Sequence, residues 1–318
     1  MRLATCSWLL IFTIVFFGCA DTNSKNIPVI GYVSAFEDNT IDAARIGFID
    51  ALKAKGYSDS AGTVKIIYRN AQGSIPTVTQ IVQYFISQNV VAIATNPSIP
   101  TIAALQQTKT IPVFMMVSPE PSLMHLGATP KNLLGVGDDL AYIDTSFLLM
   151  RTVLQGQGKP LKVGVLYNQS EPQSVTSLEL IKQLAKKYQV QLEVASVSSS
   201  AEISLVTQQL LSKNISAFFA NPDNIVFAGF ESIAQACKQK QVPIFTSEAG
   251  LVQRGAVAAY GADMYQWGYQ AGEQAAQYLN KKVLSDFSWE KVKVHNSVYN
   301  TAVAKEMGIQ FPSTFKAL

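Results

Sequence analysis

The hydrophobic positions after residue 28 form two patterns that alternate along the chain. Val29 to Val33 and Val90 to Ala94 are short, continuous apolar runs, which are typical of parallel strands covered on both faces. Between such runs, apolar residues recur every three or four positions, as on one face of a helix. The first helical set is Ile41, Ala44, Phe48, Ala51 and Leu52. This alternation predicts βαβ units with right-handed crossovers and parallel sheets.

The pattern restarts in the second half of the chain, where Lys162 to Tyr167 is again a predicted strand. Residues 87–98 and 212–223 also match each other, with Ser, Asn, Ala, Asn and Pro identical at five of twelve aligned positions. Ile111 to Phe114 corresponds in the same order to Val242 to Phe245. One short match could arise by chance, but matches in the same order along both halves favour two similar α/β lobes.

Polar residues follow the predicted strands, and in open α/β sheets this carboxyl edge is where ligands bind. The loops span residues 34–39, 95–98 and 118–120 in the first half and 168–174, 221–224 and 247–248 in the second. Ser98 and Ser174 lie at predicted helix starts, where they either cap the helix or contact a ligand. Asp223 and Glu248 could hold an ammonium group, but a helix cap or a surface acid is an equally good interpretation.

The composition argues against several function classes. The 25 basic and 22 acidic residues nearly balance, so charge gives no support for a nucleic-acid surface. Three cysteines and two histidines are too few for a disulfide framework or a Cys/His metal cluster. His125 and His295 have no adjacent nucleophile, and Gly135-Val-Gly137 lacks the rest of a dinucleotide loop, so we expect a turn there. No catalytic or phosphate-binding motif is present, and we expect neither an enzyme nor a cofactor.

The N-terminus has the sequence features of an export signal. Arg2 precedes an apolar run from Ser7 to Phe17, which is too short to span a bilayer of about 30 Å and fits a secretory signal. The run ends in Phe16-Phe17-Gly18-Cys19, which resembles the lipobox of bacterial lipoproteins. We therefore expect a signal peptide over 1–18, lipidation of Cys19 and a polar tether over 19–27. A signal with an incidental cysteine, or a single-pass anchor, is the alternative. Cys237 is expected in the core.

A larger set of motifs resembles the substrate-binding lipoproteins of ABC transporters, in the family that includes the tryptophan- and tyrosine-binding proteins. The motifs are Glu37 with Ile41-Asp42-Ala43-Ala44-Arg45-x-Gly47-Phe48, Asn70-Ala71-Gln72-Gly73, Val163 to Asn168, Asp223-Asn224, Ala259-Tyr260-Gly261-x-Asp263-x-Tyr265, Gly268 and Gly272. The resemblance runs from about Ile30 to Pro312. It implies a type I periplasmic-binding-protein fold with a three-segment hinge. The first lobe would be 28–138 plus 263–288, and the second 139–262 plus 289–318.

The resemblance also implies a function. The protein would bind an aromatic or other hydrophobic amino acid between its lobes and deliver it to an ABC permease and its ATPase, outside the cytoplasm and anchored by lipid. Ser98, Ser174 and Asn168 would hold the carboxylate, Asp223, Glu248 or Asp263 the ammonium, and Phe36 would form a wall of the pocket. Glu37, Ser118 and Asn224 complete the expected ligand-binding set.

Three other functions remain open from the sequence. The chain could be a sensory binding protein for another small polar ligand, or a structural lipoprotein. It could also be an exported α/β enzyme in which Asp223 and Glu248 serve as catalytic acids.

Overall fold

The structure is a computed structural model that describes residues 27–155 and 160–318. The expected signal peptide, Cys19 and nearly all of the tether lie outside the described residues. The strands are β1 (Val29–Ser34), β2 (Lys65–Asn70), β3 (Ala92–Asn96), β4 (Val113–Pro119), β5 (Leu133–Asp138), β6 (Lys162–Tyr167), β7 (Gln191–Ser196), β8 (Ala217–Ala220), β9 (Ile244–Thr246), β10 (Ala258–Ala262), β11 (Glu290–Lys291), β12 (His295–Tyr299) and β13 (Lys316–Ala317). The α-helices are α1 (Asn39–Ala54), α2 (Ile75–Ser87), α3 (Ser98–Gln107), α4 (Tyr142–Leu154), α5 (Pro172–Tyr188), α6 (Ile203–Leu211), α7 (Asn224–Ala228), α8 (Phe230–Gln239), α9 (Met264–Lys281) and α10 (Thr301–Glu306).

The strands form two sheets, one in each lobe. The first has the order β11-β5-β4-β3-β1-β2, and the second has the order β13-β12-β10-β9-β8-β6-β7. The strand pairs are parallel except for β10 with β12. Residues of β3 and β4 are buried throughout, as expected for central strands covered by helices on both faces. The predicted fold class, two α/β lobes with parallel sheets flanked by helices, is confirmed.

The helix α9 belongs to the first lobe although it follows the strand β10 of the second. Trp267 donates its indole N–H to the carbonyl oxygen of Val136 at 2.8 Å, and Gln274 accepts the N–H of Gly135 at 2.6 Å. Both contacts join α9 to β5. The turn expected at Gly135 is wrong, because residues 133–138 form this strand. Gly135 has φ of +88°, and a side chain there would overlap the backbone of Met115.

The chain passes between the lobes after β5, after β10 and after β11. The strand β11 pairs with β5, with Glu290 opposite Val136 and Lys291 opposite Gly137. The N–H of Val292 also bonds to the Gly137 carbonyl oxygen at 2.9 Å. The expected boundary after residue 288 is therefore too early, and the first lobe extends through Lys291. A two-residue strand has no hydrophobic period, so the sequence pattern could not locate it.

Candidate ligand-binding cleft

The carboxyl edges of the two sheets face each other across a cleft that contains two neighbouring cavities. The larger has a volume of about 400 Å³ and the smaller about 100 Å³. The first lobe contributes the start of α2, the start of α3 and Phe36; the second contributes the loop between β6 and α5. Five residues line both cavities: Ile75, Ile99, Asn168, Ser170 and Glu171. The cavities are therefore parts of one interlobe site.

Glu171 is the single charged side chain among the described residues that line these cavities. It is 5% exposed and immediately precedes Pro172, the first residue of α5. Its carboxylate accepts the side-chain amide of Asn224 at 2.7 Å and the backbone N–H of Asn224 at 3.1 Å. Burial, and then the nearby Asp223 carboxylate, raise the pKa of Glu171 well above its ordinary value. A cation beside this group would compensate both effects.

Asp223 lies beside Glu171, but both of its carboxylate oxygens accept hydrogen bonds from backbone N–H groups. One oxygen accepts the N–H groups of Ile225 and Val226 at 2.8 and 3.0 Å, which caps α7. The other accepts the N–H of Asn168 at 2.7 Å. Burial raises the pKa of Asp223, opposed by hydrogen bonds from Ser174 and the backbone. Of the three interpretations drawn from the sequence, the helix cap is the one that the geometry shows.

Ser174 and Ser98 do not cap their helices, so the capping interpretation is wrong for both. Ser174 is fully buried in the first turn of α5, where its oxygen accepts the Asn168 N–H and the Asn221 side-chain amide, both at 3.0 Å. Ser98 is the first residue of α3, which begins without a side-chain cap. It lines the smaller cavity. Of the two serines, Ser98 is therefore the one in the wall of the cavities.

The remaining expected site residues divide between the cleft and other places. Phe36, Asn168 and Asn224 line the larger cavity. Ser118 is buried behind the cleft, where its hydroxyl donates to the Met116 carbonyl oxygen at 3.2 Å. Glu37 is exposed and lines neither cavity.

Glu248 and Asp263 lie near the hinge, and neither lines the two cleft cavities. Glu248 is buried and accepts the Tyr142 hydroxyl at 3.4 Å. Burial, and then the Asp138 carboxylate, raise the pKa of Glu248 to about 8. Asp263 caps α9 and accepts the side-chain amide of Asn296 at 2.8 Å. The three expected ammonium partners are thus separated from the cavities or engaged elsewhere.

Sequence reasoning missed Glu171 and the apolar pair Ile75 and Ile99. Glu171 falls inside the loop 168–174, which the sequence pattern predicts to contact a ligand. The ligand ammonium was nevertheless assigned to Asp223, Glu248 or Asp263. The useful signal was an acid directly before a proline at a helix start, because Pro172 fixes the start of α5 and places the preceding side chain at the cleft edge.

Within residues 27–155 and 160–318, no cluster of three or more His, Cys, Asp or Glu residues could hold a metal ion. No helix in this described part of the chain is both long and apolar enough to cross a membrane. Cys237 is completely buried, as expected for a core residue.

Comparisons with known proteins define the class. Residues 27–317 match the family model of the ABC transporter substrate-binding proteins. The chain is 31% identical over 296 residues to the tyrosine-binding protein of Clostridioides difficile, covering 91% of this chain and 83% of that protein. The chain therefore belongs to the ABC transporter substrate-binding protein family, which is a family of binding proteins rather than enzymes.

Two solved structures have the same fold. A Streptococcus pneumonia ABC domain in complex with L-Trp is 24% identical, with a TM-score of 0.82 over 91% of this chain and 97% of that one. The ligand-free, open structure of a Clostridium difficile substrate-binding protein with adhesive properties is 26% identical. Its TM-score is 0.68 over 92% of this chain and 99% of that one.

Proposed function

We propose that this substrate-binding protein takes an amino acid with an aromatic or other hydrophobic side chain, and that Glu171 binds its ammonium group. The observation that carries the proposal is the buried Glu171 carboxylate, because the other described residues that line these cavities are uncharged. A charge of this kind is costly to bury without a partner. A ligand ammonium would supply that partner, whereas a ligand with only negative charge would be repelled.

The ligand carboxylate would bind at the helix starts that border the same cavities. α3 and α5 begin at Ser98 and Pro172, both of which line the smaller cavity. The first N–H groups of a helix lack intrahelical partners and carry partial positive charge, so they stabilise a carboxylate without a basic residue. The Ser98 hydroxyl could add one hydrogen bond. The ammonium and carboxylate sites would then lie in adjoining parts of the cleft.

The ligand side chain would occupy the apolar part of the larger cavity. Phe36, Ile75, Val78, Ile99 and Ile225 lie in its lining. The volume of about 400 Å³ falls within the range of ordinary small-molecule pockets. The Clostridioides difficile relative is named a tyrosine-binding protein, which supports an aromatic amino acid as the first choice.

We further propose that the protein works outside the cytoplasm as a lipoprotein attached through Cys19, and that it delivers its ligand to a membrane permease driven by an ATPase. Family membership supports the transport role. The signal-like residues 1–18 and the Cys19 motif support the anchor. A Cys19→Ser protein should lose its lipid and leave the membrane fraction. Continued partition of that variant with membranes would contradict the anchor.

Calorimetric titration with tryptophan, tyrosine and phenylalanine tests the ligand assignment. The Glu171→Gln variant should bind at least about tenfold more weakly, because the charged hydrogen bond to the ammonium is lost. Glu37→Gln is the matched control, since this exposed acid lines neither cavity; its affinity should stay within about twofold of the wild type. If none of these amino acids binds, the ligand class is wrong. Unchanged affinity in Glu171→Gln would remove Glu171 from the site.

A further inference from the structure

The two lobes touch directly on both flanks of the cleft. On one flank, Leu123 of the first lobe packs against the apolar core of the second. On the other, Thr40 at the start of α1 meets Gly250 of the second lobe so closely that a side chain at Gly250 would overlap its methyl group. Arg254 lies on this second flank.

Arg254 reaches from the second lobe to the first through its guanidinium group. Nη1 donates to Asp38 Oδ2 at 2.5 Å and to Thr40 Oγ1 at 3.3 Å. The side chains are 15% exposed for Arg254 and 2% for Asp38. Neither residue lines the two cleft cavities. This ion pair therefore connects the lobes without belonging to the candidate ligand site.

The second lobe holds the guanidinium in position for this contact. Nε and Nη2 bond to the two Glu231 oxygens at 2.8 and 2.9 Å, and Nη2 also donates to the Phe227 carbonyl oxygen at 2.8 Å. The guanidinium also lies 5.4 Å from the centre of the Phe230 ring. Because these contacts fix the planar group within its own lobe, little side-chain freedom is lost when Asp38 arrives.

Asp38 is also held on its own side, through the oxygen that does not contact Arg254. Its Oδ1 accepts the N–H groups of Thr40 and Ile41 at 2.8 and 3.1 Å, which caps α1. Because the cap lies within the first lobe, a separation of the lobes would leave it intact and would break only the contact of Oδ2 with Arg254. Rehydration of the two charges would offset part of the lost attraction, so the contact can break and form again.

We propose that Asp38 and Arg254 form a latch that slows ligand release by favouring the closed arrangement of the lobes. Both are positioning residues, since they act through lobe closure and not by touching the ligand. The latch rests on the proposed function for its effect on affinity, but its effect on lobe closure can be measured without any ligand.

The variants Asp38→Asn and Arg254→Gln separate the latch from local folding. Asparagine is a good helix cap, so Asp38→Asn should retain the α1 cap and lose only the charge toward Arg254. Each variant should bind tryptophan, tyrosine or phenylalanine, whichever the wild type binds most tightly, about tenfold more weakly. The loss should come through faster dissociation with little change in association rate. The double variant should bind no more weakly than the weaker single variant, because both changes remove one interaction.

Two further variants serve as controls. Glu179→Gln removes an exposed second-lobe carboxylate that pairs with Lys182 and lines neither cleft cavity, so its affinity should change by less than about twofold. Arg254→Lys keeps the charge but loses the planar fork, so its affinity should fall between those of the wild type and Arg254→Gln.

Small-angle X-ray scattering of the ligand-free protein gives the second readout. Asp38→Asn and Arg254→Gln should shift the population toward the open form, whereas Glu179→Gln should not. Unchanged scattering together with unchanged dissociation rates would overturn the latch, whatever happens to thermal stability. If the wild type binds none of the amino acids tested, the ligand assignment is wrong. The scattering of the ligand-free proteins still tests whether Asp38 and Arg254 favour the closed form.

Discussion

Asp138 of the first lobe and His295 of the second are joined at the hinge. His295 Nε2 lies 2.8 Å from Asp138 Oδ2, and the other Asp138 oxygen accepts the N–H of Asp139. The imidazole ring also stacks on Tyr260, with ring centres 5.7 Å apart. His295 therefore has a hydrogen-bond partner in the other lobe, and it lies where two interlobe segments meet.

Replacing His295 by asparagine should destabilise the fold by about 1–3 kcal/mol, because the buried Asp138 carboxylate then loses a side-chain partner. Urea unfolding measures this change. His125→Asn is the control, since His125 is exposed on a first-lobe loop and should tolerate the change within about 0.5 kcal/mol. Equal unfolding free energies for the wild type and His295→Asn would show that the hinge pair contributes nothing to stability.

Glu248 should make stability decrease as the pH rises. Its pKa is about 8 in the folded protein and its ordinary value is 4.5. Between these values the folded state retains a proton that the unfolded state has lost, so the free energy of unfolding falls with increasing pH. Glu248→Gln removes this dependence. The variant should gain about 2 kcal/mol or more over the wild type at pH 8.5, and much less at pH 5. An equal difference at both pH values in urea unfolding would contradict the assignment.

The helices α1 and α9 cross at a distance that only glycine permits. A side chain on Gly47 would overlap the backbone at Tyr265, and one on Gly268 would overlap the backbone at Ala44. Gly268→Ala should therefore destabilise the protein by about 2 kcal/mol or more, although alanine is the better helix former. Gln266→Ala, on an exposed position of the same helix, should have little effect. A Gly268→Ala melting temperature equal to that of Gln266→Ala would show that the crossing can widen at little cost.

These glycines also show how far the sequence could predict the fold. Apolar spacing is local, so it located most helices and strands, and the repeated motif at Asn96 and Asn221 indicated two similar lobes. The close α1–α9 contact joins segments more than 200 residues apart, and nothing in local spacing reveals it. Gly47 and Gly268 entered as motif residues, and their physical role became visible only with both helices in place.

The candidate site was predictable only as far as the loops. Strand ends identified the edge of each sheet at which the two cleft cavities lie, because side chains after parallel strands gather there. Which acid enters the cleft depends on the turn that follows each strand. Asp223 turns inward as a helix cap, Glu248 packs near the hinge, and Glu171 reaches the cavity. All three are acids in polar loops, so residue type alone could not separate them.

Asp223→Ala should act mainly on stability. The change removes the cap of α7 and leaves the N–H of Asn168 without its carboxylate partner. A loss of about 2 kcal/mol is expected, combining the cap with a charged hydrogen bond. Asp223→Asn should recover part of it through the capping oxygen. Urea unfolding and calorimetry on both variants separate a role in stability from a role in ligand binding. A large loss of affinity in an Asp223→Asn protein of near wild-type stability would show that Asp223 contributes to the ligand site.

Thr207 carries a buried hydroxyl that the described residues leave without a hydrogen-bond partner. It is fully buried on α6, on the same helix face as Ile203, Leu210 and Leu211. An unsatisfied hydroxyl in such surroundings costs stability, and valine has the same shape without the polar atom. Thr207→Val should therefore raise the free energy of unfolding by about 1 kcal/mol.

The matched control for this substitution is Thr176→Val. Thr176 donates its hydroxyl to the Pro172 carbonyl oxygen at 2.9 Å, so the same chemical change removes a made hydrogen bond and should lower stability by about 0.5–1 kcal/mol. Opposite signs for the two threonines in urea unfolding would show that hydrogen bonding, and not the helix preference of valine, decides the outcome. A loss of stability in both variants would mean that the Thr207 hydroxyl has a partner, such as a buried water molecule.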